Sequence, residues 1–206
     1  MSTVHIRQAT YNYEVLRPIV FEMLGSAEGP TIEAGTRVLI KPNFLSPATP
    51  DKAVTTHPLI VKAAAEFALE TGARVQISDS PAMGSFSKLL KKGGYEEMLK
   101  GLDVTVTPFE KTSAAEVGEP FGSIDCAKEA MEADVVINLA KLKTHTQMML
   151  TLGVKNLFGC IVGLKKPEWH KRTGVDRQMF GRQIVRNYED VGPAKTIIDG
   201  ILAMEG

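Results

Sequence analysis

Arg37-Val38-Leu39-Ile40-Lys41-Pro42-Asn43 is the stretch on which the fold turns. Val38, Leu39 and Ile40 form a short, unbroken apolar run, the signature of a strand buried on both faces. Pro42 and Asn43 close the run as turn residues. Such a strand belongs inside a sheet covered by helices above and below.

Working outward, Phe44–Thr56 carries Pro47 and Pro50, shows no periodicity and reads as a loop. Thr56 is expected to cap a helix with Pro58 in its first turn, where the missing N–H costs nothing. Ile60, Ala63, Ala64 and Phe67 then recur at i, i+3, i+4 and i+7, with Lys62, Glu66 and Glu70 on the other face. Arg74–Asp79 (RVQISD) reads as a second strand, Phe86–Lys92 as a helix and Asp103–Thr107 as an alternating third strand. Asp125–Glu132 is expected to be helical and Asp134–Leu139 (DVVINL) to be a fourth buried strand. Leu150, Val154, Leu157, Phe158 and Ile161 share one helical face, which predicts a helix over Thr146–Phe158. Asp176–Tyr188 reads as another helix and Thr196–Met204 as a last strand. Upstream, Tyr13–Leu24 predicts a helix despite Pro18, and Val4–Ile6 an edge strand. Strands alternating with helices predict an α/β fold: three layers, a mostly parallel sheet with helices on both faces, one domain over 1–206. The least regular stretch, 164–175, is expected to be an irregular basic loop.

Composition narrows the class. The chain has 206 residues, 44% of them hydrophobic, so it can bury a sizeable core and is not intrinsically disordered. No apolar run is long enough to cross a bilayer, and Met1–Thr10 lacks a secretory pattern, so the expectation is a cytoplasmic protein with no membrane partner. The 24 basic and 24 acidic residues cancel, but not locally. Lys141–Arg186 holds ten basic residues against two acidic ones, a net +8, which leaves −8 for the rest. That asymmetry concerns partners. Aromatic residues are sparse among the basic ones, which disfavours a nucleic-acid partner. The alternatives are a basic lid over an anionic small molecule, or a docking face for an acidic redox partner.

The polar residues gather at predicted strand ends, where open α/β sheets bind ligands. One strand ends in Lys41 and Asn43, the next in Asp79 and Ser80, and the fourth runs from Asn138 to Lys141, Lys143 and His145. A parallel sheet brings these ends to one edge. Lysines supply point charges for a carboxylate or phosphate, and Asn and Ser supply neutral hydrogen bonds. Lys41, Asn43 and Ser80 are therefore candidate ligand-binding residues, with His57 beside the same edge. His145, Asp79 and Lys143 are candidates for proton transfer. His170 lies in the basic loop. No nucleotide-binding glycine loop, nucleophile elbow, HExxH or CxxC occurs, and no metal ligands are assigned. Two cysteines, Cys126 and Cys160, cannot ligate an iron–sulfur cluster alone.

These strings resemble a family. Val38–Asn43, Thr55-Thr56-His57-Pro58, Asp79-Ser80-Pro81, Lys141–His145, Gly153–Gly159 and Asp199-Gly200 together resemble the uncharacterised prokaryotic family called Domain of Unknown Function 362. The resemblance draws Lys155 and Asn156, inside Gly153–Gly159, into the ligand-binding set. It implies an association with 4Fe-4S ferredoxin-like segments, which this chain would supply only in a longer form. It also implies that family members run on past Met204-Glu205-Gly206. A more distant similarity, in strand-end His and Lys placement, is to the nickel-pincer lactate racemases and implies a metal-dependent isomerase as an alternative. A non-catalytic adaptor for a redox or maturation partner is the other.

Overall fold

The computed structural model describes residues 3–163, 166, 168, 169, 171 and 176–205, with the side chains of 115–117 left aside. Five strands run parallel: β1 (Arg37–Pro42), β2 (Arg74–Asp79), β3 (Val104–Pro108), β6 (Val135–His145) and β8 (Lys195–Met204). They lie in the order β3-β2-β1-β6-β8. Beyond the end of β1, the short antiparallel β7 (Met149–Thr151) takes over its edge of β6. A separate hairpin, β4 (Thr112–Gly118) with β5 (Gly122–Ala127), stands beside this sheet.

Strand alternation sorts the core into two layers. Val38, Ile40, Ile137 and Leu139 point to one face, where they meet Leu16, Val20 and Leu24 of α1 (Tyr13–Ser26) and Ile60, Ala64 and Ala68 of α2 (Pro58–Glu70). The alanines of α2 let that helix lie close on the sheet. Leu39 and Val136 point the other way, onto Ala130 of α5 (Lys128–Glu132), Leu157 and Cys160 of a 3-10 turn, and Val191 of α7 (Arg177–Val191). Three further helices are short: α3 (Phe86–Lys92), α4 (Tyr95–Met98) and α6 (Gly153–Asn156). The layered, mostly parallel fold is as the sequence predicts.

Several elements differ from expectation. Val4 and Ile6 are 82% and 84% exposed and form no strand. Asp125–Glu132 is not one helix, because Gly122–Ala127 pairs with β4 before α5 begins. Thr146–Phe158 is not a helix either. Strand β6 continues to His145, whose Nδ1 accepts from the backbone N–H groups of Gln147 (3.2 Å) and Met148 (3.1 Å) and closes a turn into β7. Met149 takes φ 63°, which a helix forbids. Leu150 and Val154, expected on a buried stripe, are 46% and 39% exposed. The 164–175 stretch falls largely outside the described residues, Lys165, His170 and Arg172 included. Of those described there, Lys166, Glu168, Trp169 and Lys171 are helical, and Trp169 is buried against Phe121.

Candidate functional site

The parallel register places the polar strand ends together. Lys41 pairs in register with Asn138, and Lys141 with Asp199. Two buried ion pairs result. Lys41 Nζ lies 2.9 Å from Asp79 Oδ1, with both side chains nearly inaccessible. Lys141 Nζ lies 2.9 Å from Asp199 Oδ2, also fully enclosed. A buried pair is tolerated where further hydrogen bonds satisfy its atoms, and each carboxylate here accepts two more. Asp79 also accepts from the N–H groups of Phe44 (2.7 Å) and Ser80 (2.8 Å). Asp199 accepts from Tyr11 Oη (2.7 Å) and the His57 N–H (2.9 Å).

Between the pairs runs a chain of buried amides. Lys143 Nζ donates to Asn43 Oδ1 at 2.7 Å; Asn43 Nδ2 donates to Asn156 Oδ1 at 2.8 Å; Asn156 Nδ2 donates to Asn138 Oδ1 at 2.8 Å. Asn138 Nδ2 then donates to the Gly153 carbonyl at 2.9 Å. Each amide's orientation is fixed by its neighbour, so the network is fully directed. Asn43 is anchored further by Thr56 Oγ1, which accepts from its N–H (2.8 Å) and donates to the Leu139 carbonyl (2.7 Å).

Glycine is required where helix α6 and the following turn press on this edge. A Cβ on Gly159 would lie 2.4 Å from Asp79 Oδ1 and 2.6 Å from Lys41 Nζ. A Cβ on Gly153 would lie 2.8 Å from Thr196 Cγ2. The Gly153–Gly159 string is thus a close-packing device that brings Lys155 and Asn156 to the edge.

At this edge Lys143, Lys155 and Lys166 have no carboxylate partner within 4.0 Å among the described residues. Lys143, 4% exposed, donates to Asn43 Oδ1 and to the Val54 carbonyl (2.8 Å). Burial lowers its pKa to about 7; Asp79 opposes this, while Lys155, Lys41 and Lys141 add to it. Lys155 makes no hydrogen bond among the described residues; its Nζ lies 4.6 Å from the Phe158 ring centroid and 5.6 Å from that of Phe180. Burial, then the Lys166 and Lys41 charges, lower Lys155 to about 8. Lys166 donates to the Ser80 carbonyl and is lowered to about 8, again mainly by burial. Ser80 Oγ accepts from the Gly163 N–H at 3.4 Å.

His57 and His145 each serve local structure at this edge. His57, not Thr56, is the N-cap of α2: its Nδ1 accepts from the Leu59 N–H at 3.3 Å. Its ring stacks on Tyr11 at 3.7 Å between centroids. Burial depresses its pKa to about 4, so it is neutral at pH 7 with its proton on Nε2. His145 sits at the tip of β6, where its Nδ1 serves the turn. Cys126 and Cys160 are buried beneath α7, where burial pushes both thiols up to about 12. They do not make the four-cysteine set a 4Fe-4S cluster needs. No group of three or more His, Cys, Asp or Glu among the described residues is placed to hold a metal ion. No described helix is long and apolar enough to cross a membrane.

Sequence reading did not single out Asp199 or Tyr11 for the site. Asp199 carried a signal, a charge inside the apolar run Thr196–Met204. Tyr11 carried none, because its contact with Asp199 spans 188 residues. The charged +8 stretch also divides: Lys141, Lys143, Lys155 and Lys166 turn inward, while Lys171, Arg177, Arg182 and Arg186 are exposed.

Fold and edge together define an α/β domain whose sheet ends in a buried, lysine-rich polar layer. The chain belongs to the family described as Domain of unknown function (DUF362), whose model matches residues 38–206. It is 41% identical over 187 residues to the Thylakoid-associated protein sll1697 of Synechocystis sp., an alignment covering 91% of this chain and 58% of that protein. Two solved structures share the fold. The lactate racemase apoprotein of Thermoanaerobacterium thermosaccharolyticum aligns with TM-score 0.54 and 14% identity, over 88% of this chain and 48% of that one. A Thermotoga maritima protein aligns with TM-score 0.57 and 14% identity, over 94% and 52%. The chain thus spans about half the length of these proteins.

Proposed function

We propose that this is a small-molecule enzyme domain that binds an anion, a carboxylate or phosphate, at the carboxyl edge of its sheet. One observation carries the reading. Five lysines converge on this edge with two aspartates, so among the described residues Lys143, Lys155 and Lys166 face no carboxylate of their own. Gathering like charges under partial burial is costly, and an anionic ligand offsets that cost. In this reading Lys155 and Lys166 supply charge and Lys41, Asn43, Asn156 and Ser80 shape the site. Lys143, poised near neutrality, carries the proton, with Asp79 and His145 as its candidate partners. His57, neutral and stacked on Tyr11, lines the far side. A small carboxylate also fits the substrate in the name of one structural neighbour, lactate.

Redox association through an iron–sulfur module outside residues 1–206 belongs to the same proposal, since the two cysteines here are buried and too few.

Isothermal titration with lactate and with phosphate tests the anion site. Saturable binding of one of them, weakened about tenfold or more in Lys155→Ala, is the expected result, because a charge-assisted hydrogen bond contributes ~1.5–3 kcal/mol. Absence of binding, or equal binding by the variant, would defeat it.

A further inference from the structure

We propose that Lys143 is a nucleophilic amine that forms an imine with the carbonyl of a small 2-oxo carboxylic acid. The proposal rests on the anion-site reading and goes beyond it by naming the reacting group and the substrate class.

Hydrogen-bond valence is the first argument. Among the described residues Lys143 Nζ meets two acceptors, Asn43 Oδ1 and the Val54 carbonyl, and no carboxylate. A neutral amine has two N–H donors and one lone pair; an ammonium has three donors. Two acceptors satisfy the amine and leave the lone pair unused. Lys41 and Lys141 also meet two acceptors each, but one of each pair is a carboxylate; Lys143, 4% exposed, has two neutral ones, and a buried charge without a counter-charge is costly.

The surroundings agree. Asn43 Oδ1 cannot turn away, because its amide is held by Asn156 on the other side. Lys41 and Lys141 are each engaged in a buried ion pair, with Asp79 and Asp199 respectively. Burial first, and then the charges of Lys155, Lys41 and Lys141, disfavour a positive charge at Lys143, which therefore titrates near neutrality. Lys155, with no hydrogen bond among the described residues and two phenyl rings beneath it, is the cation left to hold the substrate carboxylate. The pattern is that of an amine nucleophile beside an anion anchor.

The step balances without another reactant. The Nζ lone pair attacks the carbonyl carbon and forms the C–N bond as the carbonyl π pair moves to oxygen. The two amine hydrogens pass to that oxygen, which leaves as water, and the C=N bond closes. As each N–H is lost, Asn43 Oδ1 or the Val54 carbonyl is released to accept from the carbinolamine hydroxyl and then from the departing water.

Pyruvate is the carbonyl probe and lactate its hydroxy counterpart, which can occupy the anion site but cannot form an imine. The protein is incubated with pyruvate and sodium borohydride, digested and mapped by mass spectrometry, while lactate binding is measured by titration. The expected result is one reduced adduct at Lys143, suppressed by excess lactate in the wild type and lost in Lys143→Arg. Lactate binding without an adduct at Lys143 overturns the imine and leaves the anion site standing. Adducts spread over many lysines and unaffected by lactate overturn it equally. No adduct together with binding of neither lactate nor phosphate overturns both readings. Lactate suppression uses the unaltered chain, so the test survives a variant that fails to fold.

Discussion

Replacing Gly159 by alanine adds one methyl group directly onto the Lys41–Asp79 pair. The new Cβ would stand 2.4 Å from Asp79 Oδ1, 2.6 Å from Lys41 Nζ and 2.8 Å from Lys41 Cε. None of these atoms is a loose end. Lys41 Nζ is also tied to the Pro42 carbonyl at 2.8 Å, and Asp79 is held by the N–H groups of Phe44 and Ser80. The methyl is admitted only if the pair opens or the turn lifts off the sheet. Parting a buried ion pair costs ~3–5 kcal/mol. For a chain of this size each kcal/mol lowers Tm by about 2–4 °C, so the loss should be about 6–20 °C. Urea unfolding reads the free energy, and an unchanged m-value would show that the native state, not the denatured one, has moved. Gly181→Ala is the matched control. It lies within α7, where the nearest atom to its Cβ, Met148 Cε, is at an ordinary 3.5 Å. Relief of glycine's entropy cost in a helix should stabilise that variant by about 0.5–1 kcal/mol. If Gly159→Ala unfolds within about 0.5 kcal/mol of the wild type, the close packing of this turn on the ion pair is wrong.

Three further outcomes follow from the same edge. Lys143 binds fewer protons folded than unfolded between pH 7 and 10.5, so stability should rise with pH across that window. The contribution is on the order of 5 kcal/mol in total, and Lys143→Met should flatten the lower part of the slope in urea titrations at stepped pH. His57, lowered to about 4 by burial, should stay neutral in NMR titrations down to that pH. Its share of stability should drain away as pH falls from 6.5 towards 4, because only the unfolded state takes up the proton there. Lys41→Met and Asp79→Leu should each destabilise by about 3–5 kcal/mol, while the double variant should cost less than either alone, since it leaves no uncompensated charge. Additive losses in that cycle would count against a direct pair.

How much of this was legible in the sequence follows from the range of the interactions. Runs such as Val38–Ile40 and Val135–Ile137 announce themselves, because burial on both faces demands unbroken apolar residues. At the start of α2, Thr56 and His57 both carry a side-chain acceptor, so the cap is one residue later than Thr56 suggests. Tertiary demand decides: Thr56 Oγ1 is already committed to Asn43 and Leu139. The failed helix over Thr146–Phe158 shows the opposite limit. A five-residue apolar repeat looked periodic, but the hydrogen bonds of His145 and the pairing of Lys143–His145 with Met149–Thr151 outweigh a pattern in which two members are exposed. Strand-end lysines could be listed from sequence, yet which of them are neutralised could not. That depends on Asp79 and Asp199, contributed by strands 38 and 58 residues away from Lys41 and Lys141.

The electrostatic balance of this edge has a consequence for how the fold reaches its final state. A sheet end that buries Lys41, Lys141 and Lys143 is stable only once both aspartates have arrived. Asp79 closes the β1–β2 side, and Asp199 closes the β6–β8 side through Tyr11 and the His57 backbone. The amide chain Asn43–Asn156–Asn138 joins the two halves and is complete only when α6 packs down, which Gly153 and Gly159 permit. Lys143 stands at the head of that chain with acceptors in front of it and cations around it. Zero net charge over the chain therefore conceals a local excess of positive charge held in place by packing, and that excess is the feature an anionic ligand would complete.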